Sequence, residues 1–202
     1  SRLIGTSRPG VGLINIPSAC VSEELAVRLL NGALDSRVTP CFMFDPDAGN
    51  SWSSCFDLKG NPQIERVWPE NEILNAEISP MPFTLADYAA LHPAGMSALD
   101  IISKPEWSER QCLAAQYVKK SQQERQGLSP YILVVDDDGS LKRAILPPTL
   151  AEACRERARC WRLMQELGGI DNEYAHLASD QAREETEAQM AGERENLIEA
   201  HK

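Results

Sequence analysis

The chain has 202 residues, with 20 Lys and Arg against 30 Asp and Glu, a formal charge of −10 and a pI near 4.8. That acidity disfavours binding to a phosphate backbone, so nucleic acid is not an expected partner. A hydrophobic fraction of 43% is enough for a core, and no run nears the roughly 18 apolar residues of a membrane span.

Val11–Ile16 reads as a strand ending at Pro17. Ser22 followed by Glu23-Glu24 is a helix N-cap with an acidic first turn, and Leu25, Leu29, Leu30 and Ala33 line one face of a helix that stops near Asp35-Ser36. Val38–Phe44 reads as a second strand, closed by the turn cluster Asp45-Pro46-Asp47-Ala48-Gly49-Asn50. Strand, helix and strand predict a parallel βαβ unit. From Ser51 to Pro82 the prolines 62, 69, 80 and 82 forbid a long helix and predict an irregular, extended connector.

Helix returns at Pro82–Leu91, with Thr84 and Asp87 spaced as a capping box, and again at Ser108–Gln126, ended by Gly127. Tyr131–Val135 and Leu141–Leu146 flank Asp136-Asp137-Asp138-Gly139-Ser140, a turn signal that predicts a β-hairpin. Beyond Pro147-Pro148, Thr149 and Glu152 suggest a capped helix, with a stripe at Leu150, Cys154, Ala158, Trp161, Met164 and Leu167 and a stop at Gly168-Gly169. Residues 173–202 hold eight acids and three bases, a net of −5 and half the formal excess; this stretch reads as a solvated helix or an arm contacting another subunit. The expected fold class is α/β: an N-terminal βαβ unit at 1–50, an extended connector at 51–82, helices with a β-hairpin and closing helix at 83–170, and an acidic helical tail at 171–202.

No stretch has the pattern of a catalytic or metal site, and the expected sets of catalytic, cofactor-binding and metal residues are all empty. The Asp136–Gly139 run lacks the Glu that closes a calcium loop, since position 147 is Pro, and Asp45–Asn50 fails in the same way. The glycines at 5, 10 and 12 precede a strand, whereas a phosphate-binding glycine run follows one. His92, His176 and His201 lie at no helical spacing from one another, and His92 reads as the residue that ends a helix before Pro93. The cysteines at 20, 41, 55, 112, 154 and 160 form no C-x-x-C pair and read mostly as buried, reduced thiols of a cytoplasmic protein; Cys154 and Cys160 fall on different helix faces. The opening Ser1-Arg2-Leu3, without an initiator Met or a signal-peptide pattern, suggests a processed product or a piece of a longer chain.

Four stretches, spread over residues 41–169 and so over about two thirds of the chain, resemble the distal C-terminal region of the thiamin-dependent 2-oxoacid:ferredoxin oxidoreductases, as in pyruvate:ferredoxin oxidoreductase-like chains. They are Cys41–Asp47 with Ser51-Trp52, Asp57–Gln63, Pro82–Tyr88 and the helix Leu150–Gly169. None is a catalytic motif. The family's G-D-G segment for Mg²⁺ and thiamin diphosphate and its iron–sulfur cysteine clusters are absent, so no functional residue carries over. The resemblance implies a segment that contributes packing and interface to a redox complex whose thiamin diphosphate, Mg²⁺ and clusters are held elsewhere, its partners being the other domains or subunits. The alternative is a non-catalytic adaptor or assembly module docking through its acidic helical arm. An uncovered connector would need a neighbouring surface over Trp52, Phe56 and Trp68.

Overall fold

Ser22 is extended at φ −62°, ψ 155°, and its hydroxyl accepts from the Leu25 amide, so helix α1, Glu23–Asp35, starts where the sequence places its cap. The computed structural model describes residues 22–71, 80–136 and 138–171 together with positions 11, 183, 186 and 190. The Val11–Ile16 strand (Val11 apart), the glycines at 5, 10 and 12, Cys20, His176, His201 and nearly all of the acidic tail lie outside the described residues.

The fold is α/β. After α1 come β1 (Met43–Phe44), α2 (Trp52–Cys55), β2 (Phe56–Asp57), β3 (Glu70–Asn71), β4 (Met81–Pro82), α3 (Leu85–Ala90), α4 (Pro93–Met96), β5 (Asp100–Ile102), a 3₁₀ turn at Lys104–Glu106, β6 (Gln111–Leu113), α5 (Ala114–Tyr117), β7 (Ser129–Val135), β8 (Leu141–Ile145) and α6 (Pro148–Leu167). The main sheet has the order β5-β8-β7-β6. β8 is antiparallel to both β5 and β7, and β6 is parallel to β7.

The hairpin forms as expected: Tyr131 pairs with Ile145 and Val135 with Leu141, and Gly139, at φ 79°, donates to the Asp136 carbonyl at 2.8 Å. Ile132 and Ala144, opposite each other in this ladder, turn inward and share one core with Ala151, Cys154 and Ala158 of α6 and with Trp68, Ala86, Leu99, Ala114 and Val118. On the other face of the sheet, Arg143 lies 4.2 Å from the Trp107 ring centroid and 4.3 Å from that of Tyr131, and it donates to Gln111 Oε1 at 2.8 Å. α3 has the capping box read from the sequence, with the Thr84 amide and hydroxyl donating to Asp87 Oδ2 at 2.7 and 2.6 Å.

Four expectations need correction. The 38–44 strand shrinks to Met43–Phe44, which pairs antiparallel with β2; the parallel pairing expected with Val11–Ile16 falls outside the described residues. Pro40 brings no amide, and the Asn61 carboxamide occupies both the amide and the carbonyl of Cys41, at 2.8 and 2.5 Å, so the ladder stops there. The Ser108–Gln126 helix is instead β6, the single turn α5 and a string of turns, because Gln111, Cys112 and Leu113 pair with Ser129, Pro130 and Tyr131. This parallel pairing across the chain outweighs the local helix preference. Thr149 is not the cap of α6: Pro147 holds that place and Pro148, which needs no acceptor for an amide, begins the helix. The buried face of α6 is Ala151, Cys154, Ala158, Trp161 and Gln165, so polar Gln165 takes the place expected for Met164 and Leu167.

Candidate interaction face

In its described residues, 51–71 and 80–82, the connector has only short elements, and it is covered in part: Trp52 is exposed, while the stretch around Trp68 is not. Trp68 is buried in the core, and the 62–67 loop is gathered by one side chain the sequence does not advertise. Arg37 follows α1 at φ 57° and is fully buried. Its Nη2 donates to the carbonyls of Pro62, Gln63 and Arg66 at 2.8, 3.0 and 3.2 Å, and its Nε to that of Val67 at 3.3 Å. The guanidinium lies 3.9 Å from the Trp161 ring centroid; the indole donates to the Arg66 carbonyl at 2.9 Å, and Gln165 Nε2 to that of Ile64 at 2.7 Å. Burial lowers the Arg37 pKa to about 10, so the side chain remains a cation at neutral pH. Its role is to fasten the loop to α6, and Gln165 is polar because a carbonyl faces it.

Downstream of Arg37, residues 41–61 form a small projecting unit. Asn61 clasps Cys41 as above and donates to the Leu58 carbonyl at 2.7 Å. The Asp45 amide donates to the Cys55 carbonyl at 2.8 Å, and the Ser51 hydroxyl caps α2 by accepting from the Ser54 amide at 3.3 Å. A Cβ at Gly49 would stand 2.2 Å from Ser54 Oγ, so the turn closes only over glycine. Leu58 and Cys55 point inward, and a cleft of about 270 Å³ between this unit and the end of α6 is lined by Met43, Ser53, Asp57, Lys59, Gly168 and Ile170.

Three aromatic side chains of the unit, Phe42, Phe44 and Trp52, are open to solvent, while Phe56 is half-buried and also lines the cleft. Phe44 opposes Phe56 in the β1–β2 ladder; the Phe42 and Phe56 rings stack at 5.5 Å, and the Phe44 and Trp52 rings lie at 5.3 Å. With about 200 Å² per Phe and about 250 Å² for Trp, exposures of 58% for Phe42, 48% for Phe44 and 62% for Trp52 leave roughly 370 Å² of ring surface open to solvent. Contiguous apolar patches of this size on a single chain commonly serve binding. Sequence reasoning named Trp52 and Phe56 as needing cover but gave the need to Trp68 as well, and it took Phe42 and Phe44 for ordinary strand residues.

The residues weighed as chemical sites come together nowhere among the described residues. Asp136 forms an ion pair with Lys142 at the hairpin turn, and Asp45 accepts from the Asp47 amide at 3.1 Å within its own turn. His92 sits between α3 and α4, at the N-cap position before Pro93, with its ring edge-on to Tyr88 at 5.7 Å. The five described cysteines are unpaired: Cys55 and Cys154 are buried, Cys112 is half-buried, and Cys41 and Cys160 are exposed, so buried thiols are not the majority expected. Cys154 and Cys160 do lie on different faces of α6, and burial pushes the Cys154 thiol up to about 12. Among the described residues no three His, Cys, Asp or Glu side chains are placed to hold a metal ion, and no helix is long and apolar enough to cross a membrane.

Compared with family models, with curated proteins and with solved structures, the chain matches none.

Proposed function

We propose that the chain is a non-catalytic assembly module that docks a neighbouring polypeptide on the aromatic face of Phe42, Phe44 and Trp52. The observation that carries this reading is the outward placement of three large rings on a unit braced by Asn61, Ser51 and Gly49. Left in water, roughly 370 Å² of ring surface forgoes about 9 kcal/mol of gross burial free energy, which a docked partner recovers less the cost of association.

The resemblance to 2-oxoacid:ferredoxin oxidoreductases supplies the setting: the neighbour is another domain or subunit of a cytoplasmic redox complex, and thiamin diphosphate, Mg²⁺ and iron–sulfur clusters are held on it rather than here. The unpaired thiols suit a reducing compartment. The roles of the stretches that carried the resemblance also suit a packing segment. Asn61 clasps Cys41, Thr84 and Asp87 cap α3, and the α6 helix closes the core. The acidic arm beyond 171 is a second docking element in this reading.

A photoreactive phenylalanine analogue at position 52, compared with one at the exposed Glu152 of α6, tests it in the protein's native cells. The expected result is one discrete polypeptide adduct specific to position 52. Adducts no different from those at 152 would overturn the reading. Thiamin diphosphate with Mg²⁺ should leave the melting temperature of the purified chain unchanged, and a saturable rise would place a cofactor site on this chain.

A further inference from the structure

Apart from the aromatic rings, we infer that the open face of the main sheet is a second docking surface. Its occupant is a partner polypeptide that presents a Glu or Asp carboxylate, among apolar side chains, to Arg143. The strand register defines this face. Ile132 and Ala144 turn into the core, so Tyr131, Leu133 and Val135 of β7 and Leu141, Arg143 and Ile145 of β8 lie on the opposite side. On β5, Ile102 stands opposite Arg143. Of these only Tyr131 is buried; Val135 is 50% exposed and the others are half-buried, so the face keeps apolar surface in contact with water.

Arg143 is held in a fixed pose on this face. Its guanidinium lies between the Trp107 and Tyr131 rings, at 4.2 and 4.3 Å from their centroids. Nη1 donates to Gln111 Oε1 at 2.8 Å and to the Ser108 carbonyl at 3.5 Å. Gln111 is itself fastened, its Oε1 accepting from the Ser108 amide and its Nε2 donating to the Glu106 carbonyl, both at 3.2 Å. Everything that holds this cation is neutral. Arg66, Lys142 and Arg155 each pair with a carboxylate, but among the described residues Arg143 pairs with none. Asp100 shares the face, opposite Ile145, and is exposed, yet forms no ion pair with Arg143. Nε is buried without an acceptor, and Nη2 is neither hydrogen-bonded within the described residues nor enclosed by them.

Charge complementarity selects the occupant. In water an arginine needs no counter-ion, but a partner that covers Leu133 and Ile145 also covers the guanidinium beside them. A neutral apolar surface would then bury an unpaired cation, whereas a carboxylate meets Nη2 with a charge-assisted hydrogen bond. The rings and Gln111 have already ordered the side chain, so little freedom is lost on binding. A second copy seated by a two-fold axis through this face would set Arg143 against Arg143.

The test is an NMR titration of the purified full chain, followed at the Trp107 indole N–H and the Arg143 Nε–H. The probes are a capped five-residue peptide with one Glu between Val and Leu residues, the same peptide with Gln, and acetate. The expected result is a saturable shift with the Glu peptide, with the Gln peptide and acetate each at least tenfold weaker. At a net charge of −10, general electrostatics favours the neutral peptide, so a preference for Glu reports the local cation. R143Q should lose at least tenfold in affinity for the Glu peptide and should bind both peptides equally. V135S changes a half-exposed side chain and keeps the cation; it should retain the preference for Glu while binding at least threefold more weakly, which keeps the test decisive if R143Q fails to fold. Equal affinity of the native chain for the two peptides, or no saturation with the Glu peptide, overturns the inference. Acetate binding as tightly as the Glu peptide would also overturn it, by reducing the face to a small-anion site. Self-association of the native chain that V135S abolishes would do so too, by making a second copy the occupant. The docking reading at Trp52 is decided separately by its own cross-link, whichever way this titration falls.

Discussion

Replacing Arg37 by Met removes the guanidinium while keeping much of the aliphatic length. Four backbone carbonyls, those of Pro62, Gln63, Arg66 and Val67, then lose a donor, and the Trp161 ring loses its stacked cation. Three of the bonds share Nη2, so they do not add at full strength; hydrogen bonds to a charged group contribute roughly 1.5–3 kcal/mol each when well formed, and orphaned buried acceptors cost about 1–3 kcal/mol. Removing the compensating desolvation of a buried cation offsets part of this. The net expectation for R37M is a loss of about 3 kcal/mol, which corresponds to a fall of roughly 6–12 °C in melting temperature for a domain of this size. R37K retains the charge but not the fork and should lose about 2 kcal/mol by the same reasoning. Urea unfolding followed by tryptophan fluorescence measures both, since Trp161 and Trp68 are buried beside the loop. A loss under about 0.5 kcal/mol for R37M, within the range of ordinary surface substitutions, would refute the clamp; R37K matching the native chain would show that charge alone is what matters.

Two further outcomes follow from buried titratable groups. Desolvation beneath α3 raises the Asp87 pKa from its ordinary 3.8 to about 6, against the opposing bonds from Thr84. The protonated form is thus favoured by folding: its stabilisation is fully present below pH 3.8 and is lost as pH rises through about 6, by at most about 3 kcal/mol and by less because the residue keeps some exposure. D87N should remove that slope between pH 4 and 6.5 in urea unfolding, and an identical slope in both proteins would contradict it. Iodoacetamide at pH 8, followed by mass spectrometry, should modify Cys41 and Cys160 rapidly and leave Cys154 untouched until the chain unfolds; labelling of Cys154 at the rate of Cys160 would contradict its burial.

Local signals were enough wherever the structure is made of neighbours in sequence. Ser22, the Thr84–Asp87 box, the Gly139 turn and the apolar period of α6 as far as Trp161 each act within a few residues, and each stands in the fold where the sequence places it. The Gln111–Leu113 strand fails that test because its helix-favouring neighbours say nothing of Ser129–Tyr131, the segment that recruits it. Arg37 is invisible for the same reason: its worth depends on Trp161, whose indole bonds a carbonyl 95 positions away along the chain. Phe42, Phe44 and Trp52 look like core residues in sequence, and only the three-dimensional position of the 41–61 unit, anchored inward by Leu58 and Cys55, turns their rings to solvent.

The affinity of the polypeptide cross-linked from position 52, once purified, for the native chain and for F44S/W52S tests the docking face most directly. Because both side chains are about half exposed or more, the variant should unfold within about 1 kcal/mol of the native chain. It should nevertheless bind at least 100-fold more weakly, about 2.7 kcal/mol, a fraction of the roughly 9 kcal/mol that covering the rings supplies. Equal affinity, or a variant that loses its fold along with its binding, would show that these rings serve the chain itself and not a partner.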